Sequence, residues 1–367
     1  MSEDVVLVIV VITALAFDFT NGFHDTANAV ATSISTRAMS PRLAVGLAAI
    51  LNFAGAFISL EVAATVAGGI VESDVITTQI VFGGLIGAIA WNLATWWFGL
   101  PSSSSHALIG GVVGAAFVAA GPDAVLGDGL LEKVVIPALV APTLAFLVAG
   151  ISILVTYRLV GRQRPGVVNR GYRLGQVITG SMFSLAHGTN DAQKTMGIIT
   201  LALIASGHLD ADGFDVPFWV IFSSAAAIAA GTYSGGWRII KTMGSRIIKM
   251  DPAQGFSAQA SGAAVVLTAS HLGFPLSTTH VISGGVMGAG AAKRLSAVRW
   301  GVAGNIVIAW VLTLPCAAAI GGLAYGVSRI FGEGALGPIV VALAVTGLIA
   351  AAFGSRVRRG PAITAEA

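Results

Sequence analysis

Long apolar runs, each near or above the roughly 20 residues that cross a bilayer as a helix, recur from one end of the chain to the other. Eleven can be drawn, at about 5–36, 41–68, 77–99, 101–120, 133–157, 174–206, 214–237, 256–273, 275–292, 298–328 and 335–354. They are continuous stretches of alanine, glycine, valine, isoleucine and leucine, unlike the short alternating strands of a membrane barrel. The pattern predicts an all-α polytopic membrane protein. Segments 5–36 and 174–206 exceed one crossing, so each is a candidate for a broken or re-entrant element, and the expected count is ten to twelve.

Composition narrows the class. Of 367 residues, 55% are hydrophobic and 10% charged, against about 25% charged in soluble domains. A water-soluble enzyme of this length is excluded. Cys316 is the single cysteine, which leaves no disulfide framework and no cysteine-based metal site. Charge placement then suggests topology. With the N-terminus outside and one crossing per segment, the inner loops collect 17 of the 20 lysines and arginines: Arg37, Arg42, Arg158, Arg162, Arg164, Arg170, Arg173, Arg238, Lys241, Arg246, Lys249, Lys293, Arg294, Arg299, Arg356, Arg358 and Arg359. The outer loops receive Glu72, Asp74, Asp123, Asp128, Glu132, Asp210, Asp212 and Asp215. This is the positive-inside bias, and it puts the C-terminus in the cytoplasm. Glu3 and Asp4 stand where a cleavable signal would be basic.

Two motifs occur twice. FDFTNGFHDTANAV (17–30) aligns with FSLAHGTNDAQKTM (183–196), pairing Phe17 with Phe183, Gly22 with Gly188 and Asp25 with Asp191. LPSSSSHALIGGVVGAA (100–116) aligns with FPLSTTHVISGGVMGAG (274–290), identical at 8 of 17 positions. The pairs share order and separation, and the charge pattern gives the halves opposite orientation. The expected organisation is a first inverted repeat at 1–157, a basic cytoplasmic linker at 158–173, a second repeat at 174–328, and an extra helix with a tail at 329–367. Inverted repeats of this kind typify secondary transporters, whose sites lie between the repeats near mid-membrane.

An ionised side chain inside an apolar segment costs about 2.5–3.5 kcal/mol on insertion scales. Asp18, Asp25, Glu61, Asp191 and Lys194 sit in such segments, so each needs a partner or a role. Asp25 and Asn28 are three apart, as are Asp191 and Lys194, and that spacing shares a helix face. Aspartate and asparagine oxygens suit a hard monovalent cation or a shared proton. Lysine and amide N–H groups suit an anion, although Asp191 and Lys194 also make a plain structural ion pair. Pro101 and Pro275 stop one helix, and the hydroxyl runs Ser102–Ser105 and Ser277–Thr279 open the next. Serine and threonine cap helix starts, and uncapped N–H groups there bind oxyanions. Non-helical backbone at such depth survives only beside a cavity or buried in protein. His106 and His280 read as hydrogen-bonded spacers, while His24 and His187 flank the acidic residues. No histidine pair lies at transition-metal spacing beside a carboxylate.

At NGFHDTANAV and AHGTNDAQKTMG the chain resembles the inorganic phosphate transporter family, across almost its whole length. That resemblance implies symport of inorganic phosphate with a cation through the cytoplasmic membrane, and a homodimer in the lipid. It involves no resident cofactor and no nucleic acid. The coupling-cation residues it implies are Asp25, Asn28, Asn190 and Asp191. Where the sodium-coupled pattern has asparagine in the second copy, this chain has Lys194, preceded by Gln193. A fixed ammonium there would replace bound sodium, as in the bacterial proton-coupled branch, with a sodium ion at the same four residues as the alternative. Members of that branch carry neutral metal–phosphate complexes, so a divalent metal is expected to travel with the substrate. The anion is then expected at Ser103, Ser104, Ser105, Ser277, Thr278 and Thr279, with Gln193 and Lys194. Sulfate is the competing substrate. A lipid-phosphate phosphatase, suggested by PSSSSH, would want arginines beside that loop, and the flanking segments hold none.

Overall fold

Proline and glycine punctuate the chain into helices, which the computed structural model describes for residues 2–210 and 214–358. In chain order they are α1 (Ser2–Ser35), α2 (Pro41–Gly55), α3 (Glu61–Gly68), α4 (Thr78–Phe98), α5 (Ser104–Ala120), α6 (Gly127–Leu130) and α7 (Ile136–Val160). The second half gives α8 (Pro165–Ala205), α9 (Phe218–Ser234), α10 (Trp237–Lys241), α11 (Pro252–His271), α12 (Thr278–Lys293), α13 (Trp300–Ile330) and α14 (Leu336–Arg358). Asp212 and Arg359 of the charge pattern lie outside the described residues, as does the tail from 359 on. The protein is an all-helical membrane protein.

Four helices among the described residues are long and apolar enough to cross a bilayer: Glu3–Ser35, Thr78–Phe98, Gly127–Val160 and Trp300–Ile330. Phe218–Ser234 and Trp237–Arg246, bent by 59°, together make a fifth candidate. Large apolar side chains such as Leu139, Val311 and Leu343 stand exposed on the outside, a surface fit for acyl chains rather than water. The helices α8, α11 and α12 are more polar, and they bury their polar side chains within the bundle.

The breaks fall elsewhere than segment length suggests. Segments 5–36 and 174–206, the candidates for interruption, are continuous helices of 34 and 41 residues. At 1.5 Å per residue, α8 runs about 60 Å, twice the hydrocarbon thickness, so part of it must project beyond the lipid core. Of the linker 158–173, only 161–164 lies outside the helices. Segment 41–68 breaks instead, into α2 and α3, and segment 214–237 breaks near its end between α9 and α10. Glu61 opens α3 and is exposed in its first turn, where the helix dipole favours a carboxylate.

The two repeats interleave. The first motif helix, α1, packs along α9 of the other half, and α8 packs along α2. Both contacts depend on glycine. A Cβ on Gly22 would stand 2.3 Å from the Ile228 carbonyl oxygen, and one on Gly188 would stand 2.2 Å from that of Asn52. The second motif repeats the exchange, since α5 lies against α13 and α12 against α7. Neither half could bury its motif helices alone.

Candidate functional site

The two helix breaks meet. Ser103 caps α5 by accepting from His106 N at 3.1 Å, and Ser277 caps α12 by accepting from His280 N at 3.3 Å. Equivalent residues thus do equivalent work in the two repeats. The Ser105 hydroxyl then crosses to the other break, donating to the Leu276 carbonyl at 3.0 Å. The His106 and His280 rings sit edge to face with centroids 4.8 Å apart. Two helix starts therefore lie side by side in the buried centre, and their partial positive charges point into one region.

Asp25 sits against these starts from the α1 side. His24 Nδ1 lies 2.6 Å from Asp25 Oδ1, and its Nε2 lies 3.1 Å from the Thr95 hydroxyl on α4. The Thr279 hydroxyl donates to Asp25 Oδ1 at 3.3 Å. Asn28, one turn on, donates to the hydroxyls of Thr279 at 2.8 Å and Thr278 at 3.3 Å. Residues 254 apart in sequence are thereby joined by a single hydroxyl.

Asp191 approaches from α8. Thr278 donates to its Oδ2 at 3.1 Å, and His187 Nε2 lies 3.0 Å from the same oxygen. His187 Nδ1 is held 3.2 Å from Asn52 Oδ1 on α2. Lys194 pairs with the other carboxylate oxygen and donates also to Ser105 Oγ and, at 2.7 Å, to the Leu276 carbonyl. Its three N–H donors are thus all engaged. Ligand atoms of Asp25, His187 and Asp191 lie within 4.8 Å of one another, close enough for one small cation to touch both carboxylates.

Most of the expected site residues gather here: Asp25, Asn28, Asp191, Lys194, Ser105, Thr278 and Thr279 form one hydrogen-bonded cluster. Ser103 and Ser277 shape it as caps. Ser104 is buried with an unpartnered hydroxyl. Asn190 fastens the second break instead, donating to Ser270 Oγ at 2.8 Å and the Phe274 carbonyl at 3.2 Å. Asn28 and Asn190 each keep a buried side-chain oxygen without a donor, the kind of acceptor that a cation or water can use. Gln193 departs from expectation. Its oxygen accepts from Val62 N at 2.8 Å and Ala63 N at 3.2 Å, while its amide donates to the Thr189 carbonyl. It caps α3 from a neighbouring helix, because the broken segment leaves N–H groups there without intrahelical partners.

Residues that position the site were missed. Asn52 bridges His187 to Thr232, donating to that hydroxyl at 2.7 Å. Thr95 and Ser102 stand behind His24. A single neutral polar residue within an apolar run was the only local sign of Asn52 or Thr95.

Comparisons with known proteins identify the family. A profile of the phosphate transporter family matches residues 21–321. A probable low-affinity inorganic phosphate transporter of Mycobacterium bovis is 51% identical over 355 residues, which is 97% of this chain and 85% of the relative. One from Bacillus subtilis is 45% identical over 323 residues, 88% of this chain and 96% of its own. A solved sodium-dependent phosphate transporter superposes with a TM-score of 0.80 at 27% identity, covering 89% of this chain and 99% of that one. These are transporters and not enzymes. With its duplicated aspartate motif and paired helix starts, the chain belongs to the phosphate transporter family.

Proposed function

We propose that this protein is a symporter that carries inorganic phosphate into the cell across the cytoplasmic membrane, driven by protons. The observation that carries the reading is Lys194. A fixed ammonium bonds Asp191, Ser105 and the Leu276 carbonyl together, so the second repeat already holds a cation at a position where a sodium-coupled carrier would need to bind one. Phosphate would then lie against the starts of α5 and α12, facing backbone N–H groups, the hydroxyls of Ser104, Ser105, Thr278 and Thr279, and the Lys194 ammonium. Asp25 and Asp191, with the free oxygens of Asn28 and Asn190, would form the cation side.

Coupling follows if anion and cation stabilise each other, so that the loaded and empty forms reorient and half-loaded forms do so poorly. Because Thr278 and Thr279 each bond one of the aspartates, a change in carboxylate charge reaches the anion side through one hydroxyl. The N-terminus outside, the C-terminus inside, a homodimer and co-transport of a divalent metal with phosphate complete the proposal.

Uptake of radiolabelled phosphate into liposomes, with proton, sodium and magnesium gradients imposed separately, tests it. Accumulation driven by a pH gradient without sodium is the expected result, and strict sodium dependence would overturn proton coupling. Sulfate that competes as well as phosphate would overturn the substrate assignment. Cross-linking in the membrane would count the copies.

A further inference from the structure

One buried carboxylate is left unused by the cluster. Asp18 is fully buried on α1, and neither of its oxygens has a hydrogen-bond partner. It precedes Asp25 by seven residues, two turns along the same face of the helix. Two polar side chains face it, Thr195 on α8 and Asn21 on α1. The Asn21 side-chain oxygen and the Thr195 hydroxyl are themselves buried without partners.

This group of unsatisfied atoms has a simple chemical resolution. An ionised carboxylate has no donor to offer, and in a membrane interior it needs a counter-charge. The charged groups that act on Asp18 are Asp191 and Lys194, both on α8. Lys194 has no N–H left to bond Asp18, because its three donors go to Asp191, Ser105 and Leu276, and its charge is matched by Asp191. Other helices packed on α1 offer nothing closer. Within α4 there is no titratable residue, α9 carries only the exposed Tyr233, and α2 has only Arg42, exposed in its first turn. Among the described residues, none of His24 and Asp25 of α1, His187 of α8, His106 of α5, His271 of α11, His280 and Lys293 of α12, or Arg238, Lys241 and Arg246 is hydrogen-bonded to Asp18. The described side chains of α14 include none that titrates. A protonated Asp18, by contrast, would donate its O–H to the Asn21 oxygen and accept from the Thr195 hydroxyl, which satisfies all three residues.

We infer that Asp18 is a further proton-carrying carboxylate beside the Asp25 and Asp191 site: it takes up a proton from the side to which the site is open, holds it while the site is closed, and releases it to water on the other side. No bond other than this O–H is made or broken. The inference rests on the proton-coupled reading and adds a carboxylate to it. The second repeat has no equivalent, since the aligned residue is Ser184, whose hydroxyl donates to the Gly180 carbonyl at 2.8 Å. This additional proton site would therefore belong to one half of a duplicated protein.

The test uses the full chain in liposomes with radiolabelled phosphate, in two assays. One measures accumulation driven by a pH gradient. The other measures phosphate exchange at equal pH on both sides, which needs no net proton movement. Asp18→Asn should lower gradient-driven accumulation about tenfold or more, within the range of coupling between linked sites, while exchange persists. Asp18→Glu should restore accumulation. Wild-type accumulation in Asp18→Asn would overturn the assignment. If the wild type itself moves no protons with phosphate, the proton-coupled reading falls first, and that outcome is separate. Should Asp18→Asn fail to insert, infrared spectra of wild type and Asp18→Glu decide. A protonated-carboxyl band at neutral pH that shifts in the glutamate variant supports the inference, and its absence overturns it.

Discussion

Asp25 on α1 and Asp191 on α8 descend from one duplicated motif, yet their surroundings differ in charge. Asp25 faces a histidine and a hydroxyl, and no lysine or arginine pairs with it among the described residues. Asp191 faces a fixed ammonium as well as a histidine and a hydroxyl. The histidines differ too, because His24 adjoins its aspartate in sequence, whereas His187 lies one helical turn away. In the aligned motifs Asn28 takes the place of Lys194, and Ser184 the place of Asp18. The lesson is that the duplication kept the backbone frame, with its close glycine contacts and capped helix starts, and let charge diverge within it. One half holds a permanent cation, and the other holds the extra carboxylate.

The largest way to break this comparison is to remove one member of the ion pair. Asp191→Asn or Lys194→Met should each cost about 3–5 kcal/mol, because a lone charge stays buried. The double variant should recover much of that stability without recovering transport. Thermal unfolding in detergent and liposome uptake would check both, and equal instability of single and double variants would dissolve the pair. Next come the contacts that set the frame. Gly188→Ala and Gly22→Ala drive a methyl group into a facing carbonyl, so each should cost about 1–3 kcal/mol from overpacking, to a similar extent in both halves. A large difference in unfolding temperature would show that the halves do not share the frame equally.

Asp25→Asn should be milder in stability, about 1–2 kcal/mol from weakened hydrogen bonds. Phosphate-driven cation movement should nevertheless be lost in a folded protein, read by an internal pH dye. Normal coupled uptake would remove Asp25 from the mechanism. The smallest contrast lies in the bridging hydroxyls. Thr278→Val and Thr279→Val each delete one bond to a carboxylate, for about 1 kcal/mol apiece. Thr278→Val should couple to Lys194→Met in stability more than Thr279→Val does, because of the two threonines Thr278 is the one that bonds Asp191. A double-mutant cycle on unfolding free energies reads this coupling.

Much of the frame was legible in advance. Ser103 and Ser277 could be read as caps, and Pro101 and Pro275 as helix stops, because capping and proline geometry act within a few residues of the chain. The duplication was legible because Gly22 and Gly188, or Pro101 and Pro275, recur in register. Gln193 was misplaced since nothing local reveals that α3 begins at Glu61 and needs an outside acceptor. Asn52 was passed over for the same reason, as its partners stand 135 and 180 residues away. Segments 5–36 and 174–206 were expected to break on length alone, whereas a helix whose polar groups are buried among neighbours can continue without interruption.

The membrane environment, the helical class, the duplicated motifs and the residue types that an anion and a cation require could all be read along the chain. These follow from transfer energies and local backbone chemistry, which are sums over nearby residues. Packing in three dimensions settled which aspartate met the ammonium, which hydroxyl joined the two halves and which carboxylate was left without a partner. Those outcomes depend on where glycines let helices approach and on how few donors a buried lysine has, and both are settled between segments far apart in the chain.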